Sequence, residues 1–293
     1  MTPASRIAFA GADGTGLVAH LTGAGEPPVC VPGGPMQASA YLGDLGGLAS
    51  RRSLLLLDLR GTGGSEAPAD PGTYRCDRQV DDLEALRRHR GVDRLDLLAH
   101  SAGAALAVLY AARYPERVRS LVLVTPSPRV VGVAVADADR RAVAERRRDE
   151  PWYPTAWAAF GRIWTGEATP ADADAIMPFL HGRWDDERRA QLPVLDAGRN
   201  DAAAAAYYPE DLDVDGTRAG LAAVRAPVLL LAGELDVALP PERAADYAAL
   251  FPLATLAVQP GAGHYPWLDD PDGFVRAVSA YLDDRDRAVP EGG

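Results

Sequence analysis

Lysine is absent from this 293-residue sequence, so all thirty basic residues are arginine. We read that as a genomic coding bias that constrains neither fold nor function. Cysteine is scarce: Cys30 lies in a predicted strand and Cys76 near a predicted helix start. Two such thiols exclude a disulfide scaffold and point to a cytoplasmic setting. No uncharged apolar run reaches membrane-spanning length. The opening MTPASRIAFAG lacks a basic region followed by an apolar core, so no signal peptide is expected. Positive charge is in deficit: the net charge is −11 and the pI about 4.9. That excludes nucleic acid and anionic membrane surfaces as partners and leaves a small-molecule substrate. No His/Cys cluster has metal-ligand spacing, so neither a metal nor another cofactor is expected. Oligomeric state is not legible. What remains is an ordinary globular composition, 47% hydrophobic and 24% charged, long enough for one α/β domain or a core with an insertion.

The richest stretch is Leu97 to Ala107, LLAHSAGAALA. An apolar strand ends in Ala99-His100-Ser101-Ala102-Gly103 and an Ala-rich helix follows at once. This is G-x-S-x-G with alanine in the first glycine's place, a tight strand-to-helix turn that lifts Ser101 off the sheet above a helix N-terminus. Around it, residues 6–23 predict two short strands about Gly11-Ala12-Asp13-Gly14. Pro28 to Val31 predicts a strand running into Pro32-Gly33-Gly34-Pro35, and residues 39–49 a helix. Ser53 to Leu57 is a strand buried on both faces, ending in a glycine-rich loop. Helix is predicted over 76–90 and strand over Val118 to Val124. From about 128 to 225 only helix-like stretches and polar loops occur, with four of the five tryptophans. Strand–helix alternation resumes with strands at Pro227 to Leu231 and 254–259, and helices at Pro240 to Leu250 and 271–283. Residues 284–293 read as a frayed tail. Such alternation gives a parallel sheet with helices on both faces. The expected division is a core of residues 1–127 and 226–293 and an inserted helical lid of 128–225, over the strand ends where α/β sites lie.

A serine hydroxyl needs a base, and the base needs a partner that fixes its tautomer. Of the five histidines, His20 and His89 read as surface residues. His100 flanks the serine but points away in such a turn, and His181 falls in the lid. His264, in Gly261-Ala262-Gly263-His264 after the last strand, lies at the sheet edge where Ser101 emerges and is the expected base. The acid is expected in the loop after the preceding strand, Gly233-Glu234-Leu235-Asp236, at Asp236, with Glu234 as the alternative. Asp269 and Asp270 read as caps of the last helix. The oxyanion needs two donors: the N–H of Ala102 and one from the Gly33-Gly34 loop. The run from Arg140 to Arg148 reads as a solvated helix face with i,i+4 pairs.

Together these motifs resemble the α/β-hydrolase superfamily over nearly the whole chain, and within it the proline iminopeptidase-like branch. That branch carries H-G-G-P-G, D-x-R-G-x-G-x-S, G-x-S-x-G, G-x-x-D and G-x-G-H in this order. Here they read Pro32 to Met36, Asp58 to Ser65, Ala99 to Gly103, Gly233 to Asp236 and Gly261 to His264. The resemblance implies the α/β-hydrolase fold, Ser101 as nucleophile, Asp236 and His264 as its triad partners, Gly34 with Ala102 as the oxyanion hole, and a cis bond at Gly34-Pro35. Pro32 and Met36 depart from the branch pattern, as does Ala99. The branch's lid sequence W-E-G-E stands here as Trp164-Thr165-Gly166-Glu167, which keeps only its second acid. Gly33, Trp164, Glu167, His181, Tyr207 and Tyr265 are the expected substrate contacts. The expected function is a serine hydrolase of a small ester, amide or thioester. The alternatives are an aminopeptidase that removes an N-terminal residue or aminoacyl group, with Glu167 and Glu210 as candidate amine ligands, and a binding protein on a hydrolase scaffold.

Overall fold

The computed structural model describes residues 5–165, 167–196 and 198–288. Eight strands follow in chain order: β1 (Ser5–Ala10), β2 (Gly16–Thr22), β3 (Val29–Val31), β4 (Leu54–Asp58), β5 (Leu95–His100), β6 (Val118–Val124), β7 (Val228–Gly233) and β8 (Ala254–Gln259). They form one sheet in the order β1-β2-β4-β3-β5-β6-β7-β8. The β1–β2 and β2–β4 pairs are antiparallel and the rest parallel. The helices on the core are α1 (Cys76–Arg90) and α2 (Ala102–Arg113) before the insertion. Within it come α3 (Asp137–Ala144), α4 (Tyr153–Thr165), α5 (Pro170–Ile176), α6 (Asp186–Asp196), α7 (Asp201–Ala206) and α8 (Val214–Leu221). After it come α9 (Pro241–Ala248), α10 (Pro266–Asp269) and α11 (Pro271–Ala288).

The inner strands are apolar without interruption because both of their faces are covered. Alternate side chains serve opposite layers. Leu55, Leu57, Leu97 and Ala99 pack with Val80, Leu83 and Leu86 of α1 and with α2. Leu54, Leu56 and Leu98 pack with Trp267, Phe274, Val278 and Leu282 on the other face. The glycine-rich loop after β4 is tied down by its own motif. Asp58 accepts from the N–H and hydroxyl of Ser39 (2.9 and 2.7 Å) and from Gly64 N–H (2.8 Å), and sits 2.9 Å from His20 Nε2. Arg60 grips buried Asp82 with two hydrogen bonds of 2.8 and 2.6 Å. His20 is therefore a partner of this loop, although its side chain stays 36% exposed. Cys30 and Cys76 are free and buried, and burial pushes both thiols up to about 12. Among the described residues, no helix is long and apolar enough to cross a membrane.

Three expectations need correction. Residues 39–49 do not form a helix but two short 3-10 turns, Ser39–Leu42 and Leu48–Ser50. Gly43, Gly46 and Gly47 take φ of 57°, 66° and 92° there, which a right-handed helix cannot hold. The terminal helix α11 runs on to Ala288, beyond the predicted end at 283. The Arg140 to Arg148 run is only partly a solvated face. Arg141 pairs with Asp137, as i,i+4 spacing requires, but Arg147 is buried over the Trp152 ring (4.6 Å) and donates to the carbonyls of Pro178 and His181. The helical block packs in two places. Val143, Ala156, Phe160 and Phe179 cluster with Val237 of the loop after β7. Ala203, Tyr207, Leu221 and Val224 instead join the main core, where α8 packs on α2. Their apolar side chains are completed by α2.

Candidate active site

The site begins at the turn between β5 and α2. Ser101 sits there with φ 51° and ψ −116°, a conformation that costs a non-glycine residue free energy and is held by its surroundings. A Cβ on Gly103 would lie 2.3 Å from the Pro32 carbonyl oxygen and 2.5 Å from that of Val31, so glycine is required on this side. Ala99 on the other side is a β5 residue paired with Val31, and its methyl group is fully buried in the core. That explains why alanine serves where the motif has glycine.

The loops that carry Asp236 and His264 are drawn together by backbone crowding. A Cβ on Gly233 would meet the Gly263 carbonyl oxygen at 2.1 Å, and one on Gly263 the Leu180 carbonyl oxygen at 2.6 Å. Asp236, fully buried, accepts the Ala238 N–H at 2.8 Å and places Oδ2 3.0 Å from His264 Nδ1. The opposite ring nitrogen, Nε2, is 2.8 Å from Ser101 Oγ. With a carboxylate at Nδ1, the proton of a neutral imidazole stands on Nδ1 and Nε2 accepts from the serine. Arg140 of α3 donates to the carbonyls of Val237 and Ala238, both at 2.8 Å, and fixes the acid loop from outside. Glu234, the alternative, accepts the Gly261 N–H at 2.8 Å, and the carboxylate facing His264 Nδ1 is that of Asp236. Asp270 caps α11 through Gly273 N–H (2.9 Å), whereas Asp269 accepts Gly263 N–H (2.8 Å) and steadies the base loop.

Sequence reasoning missed His100 and Tyr41. The Gly33 N–H donates to Tyr41 Oη at 2.7 Å, and that oxygen is 2.7 Å from His100 Nδ1. His100 Nε2 faces the His264 carbonyl, which can only accept, so in the neutral ring Nδ1 is the acceptor and the Tyr41 hydroxyl donates to it. His100 then carries its proton on Nε2 and donates to the His264 carbonyl at 3.0 Å. Burial and the nearby His264 hold His100 well below the usual histidine range, so it stays neutral and the direction of the chain is fixed. The same carbonyl accepts from Thr125 Oγ1 at 2.9 Å. Pro32 stands where the branch has histidine, and here Tyr41 is the side chain that bonds the Gly33 backbone. The only sequence signal was His100 beside the serine, and Tyr41 had none. Tyr41→Phe leaves the buried Gly33 N–H without an acceptor, a loss of about 1–3 kcal/mol. We expect kcat to fall by about ten- to a hundredfold while KM moves less than threefold, because the defect is in positioning. Steady-state kinetics on an ester check this, and an unchanged kcat would show that the chain only stabilises the fold.

Gly34 is exposed, with φ 117°, and its bond to Pro35 is cis, as expected. The N–H groups of Gly34 and Ala102 find no acceptor among the described residues. Both residues border a groove of about 650 Å³ that includes Ser101. A larger cavity of about 1120 Å³, lined by Ser101, His264, Trp157 and Glu167, lies under α3 and α4. A third space, about 270 Å³, is lined by Ser101, Tyr41, Met177 and Tyr265. Glu167 and Tyr265 are thus where a substrate contact should be, and the side chain of Trp164 lies outside the described residues. Three expected contacts, all buried, do not line these three spaces. Gly33 is packed behind Ser101, where a Cβ would come within 3.0 Å of the serine Cβ, and its N–H is taken by Tyr41. Tyr207 is fully buried and donates to the Ala102 carbonyl at 2.9 Å, bracing the turn from below. His181 is fully buried behind Tyr265, stacked on it at 5.0 Å, and its pKa is lowered to about 3 by burial.

Known proteins agree with this architecture. Residues 28–271 match the alpha/beta hydrolase fold family. The chain is 23% identical over 279 residues to a proline iminopeptidase of Heyndrickxia coagulans, covering 89% of this chain and 91% of that one. It is 30% identical over 229 residues to an N-formylmaleamate deformylase of Pseudomonas putida, covering 78% of each. Among solved structures it is similar to a proline iminopeptidase of Mycobacterium smegmatis, with a TM-score of 0.72 at 23% identity over 97% of this chain and 99% of that one. It is also similar to a thermophilic esterase of Thermogutta terrifontis, with a TM-score of 0.66 at 25% identity over 96% and 99%. With a family match over most of its length and relatives that are hydrolases, this chain belongs to the α/β-hydrolase fold family and is a hydrolase.

Proposed function

We propose that the protein is a serine hydrolase of small esters, amides or thioesters that works through an acyl-enzyme. The observation that carries this is the row Asp236 Oδ2, His264 Nδ1, His264 Nε2, Ser101 Oγ, with steps of 3.0 and 2.8 Å between groups. Ser101 Oγ attacks the substrate carbonyl carbon as His264 Nε2 takes its proton, and Asp236 stabilises the imidazolium that results. The carbonyl oxygen becomes an oxyanion, which accepts from the N–H groups of Ala102 and Gly34. One such donor is worth about 10²–10³ in turnover. Collapse breaks the bond to the leaving group, which takes the proton from His264. Water then repeats the sequence in reverse and releases the acid. Residues of α3 to α5 serve as the cap that shapes the acyl and leaving-group sites.

Glu167 on the wall of the larger cavity favours a second reading, an aminopeptidase that holds a substrate ammonium there. Active-site titration tests the first reading. A p-nitrophenyl ester should give a burst of one equivalent of phenolate per protein, with the acyl group found on the peptide that contains Ser101. Folded protein that neither hydrolyses the ester nor is labelled at Ser101 by a fluorophosphonate rules it out. Turnover of aminoacyl amides far above that of simple esters favours the second.

A further inference from the structure

The chain carries a net charge of −11, yet the cavity beside Ser101 departs from that balance. Its wall holds four arginines, Arg129, Arg140, Arg141 and Arg162, against two carboxylates, Asp137 and Glu167. Arg141 is matched by Asp137, and Arg162 by Asp172 outside the wall. Arg140 gives two of its hydrogen bonds to neutral carbonyls. Arg129 is different. It follows the β6 loop Thr125-Pro126-Ser127-Pro128, lines both this cavity and the groove beside Gly34, and is exposed in each. Among the described residues no carboxylate pairs with it. Its guanidinium rests on the Tyr208 ring at 4.9 Å, a contact that steadies the side chain without using an acceptor. An arginine held in this way, where two clefts meet at a nucleophile, keeps a planar fork of donors for a ligand.

From this we infer that the natural substrate is an acid as well as an ester or amide: a small molecule with a carboxylate that seats on Arg129 while its scissile carbonyl lies at Ser101. The inference rests on the serine hydrolase reading above and deepens it. It also runs against an ammonium-bearing substrate, because an amine on Glu167 would share its cavity with an excess of arginine. Charged walls of a cleft raise the local concentration of a counter-charged ligand, so the preference belongs in kcat/KM at low substrate.

Three esters of matched shape test this: monoethyl adipate, ethyl hexanoate and ethyl 6-aminohexanoate, which place an anion, a methyl group and a cation at one end of the same chain. A second trio places the charge on the alcohol side: 5-acetoxypentanoate, pentyl acetate and 5-aminopentyl acetate. In at least one trio the anion should exceed the neutral ester in kcat/KM by tenfold or more, with the cation lowest. The excess should shrink as ionic strength rises from about 0.05 to 0.5 M, where the screening length falls severalfold. Arg129→Gln should bring the ratio of anion to neutral ester within about threefold, and Arg129→Lys should restore part of it. The inference is overturned if neutral esters are cleaved and neither trio prefers the anion, or if Arg129→Gln leaves the ratio intact. Loss of all ester cleavage together with no acylation of Ser101 in wild-type protein is a separate result: it brings down the serine hydrolase reading itself, and this inference with it.

Discussion

Replacing Ser101 with alanine is expected to lower kcat by about 10⁴–10⁶-fold while KM changes little. The substitution removes a single atom, whose one hydrogen bond is to His264 Nε2 at 2.8 Å. The strained backbone at this residue, φ 51°, is no worse for alanine than for serine. Thermal stability should therefore stay within about 1 kcal/mol of wild type, as for other substitutions that leave no buried group unsatisfied. A fluorophosphonate probe should label the wild-type chain at this residue and spare the variant. Residual turnover would come from the oxyanion donors and binding alone, neither of which the change touches. A variant that keeps more than about one hundredth of wild-type activity would mean that another group attacks the carbonyl.

Asp236→Asn carries the second-largest expected effect, a loss of about 10⁴ in kcat. The carboxylate accepts twice, from Ala238 N–H at 2.8 Å and from His264 Nδ1 at 3.0 Å. An amide has one acceptor and one donor end. Turned to satisfy Ala238, it presents N–H to His264 Nδ1 and moves the imidazole proton to Nε2, where it faces the serine and cannot accept. Turned the other way, it sets N–H against N–H at Ala238. Both outcomes disable the base while the overall shape is kept. Glu234→Gln serves as the paired measurement. Glu234 holds the Gly261 N–H, so its loss should cost less than tenfold. Equal losses at the two positions, measured as kcat on one ester, would reassign the acid.

The strands and most helices were legible because their signals are local. Continuous apolar runs such as Leu54 to Leu57 can be satisfied only between two covered faces. The register of Cys76–Arg90 follows from Val80, Leu83 and Leu86 on one side. The positions of Ser101, Asp236 and His264 were legible for a related reason: each follows a strand, and parallel strands deliver their ends to one rim. What failed needed knowledge of neighbours. Nothing in Tyr41 announces that it meets Gly33 and His100, residues distant in the chain. Tyr207 looked like a substrate contact because it is aromatic and lies in the insertion, but α7 and α8 had already joined the core. His181 was misjudged in the same way, since an interior place for a histidine depends on which ring covers it. The arginine run was misread because i,i+4 spacing reports pairs along one helix and cannot see carbonyls offered by another segment.

The base loop is fastened to the insertion as well as to the sheet. His264 N–H donates to the Leu180 carbonyl at 2.7 Å, and a Cβ on Gly182 would overlap the Gly261 carbonyl oxygen at 1.9 Å. A swinging door hinged at both ends of the insertion would tear the first of these bonds, so the 177–182 segment is expected to stay with the sheet whatever the rest of the insertion does. The same fastening sets a rule for building chimeras. A graft that brings a relative's insertion onto this scaffold, to change what it accepts, should splice on either side of 177–182 and leave that short segment native.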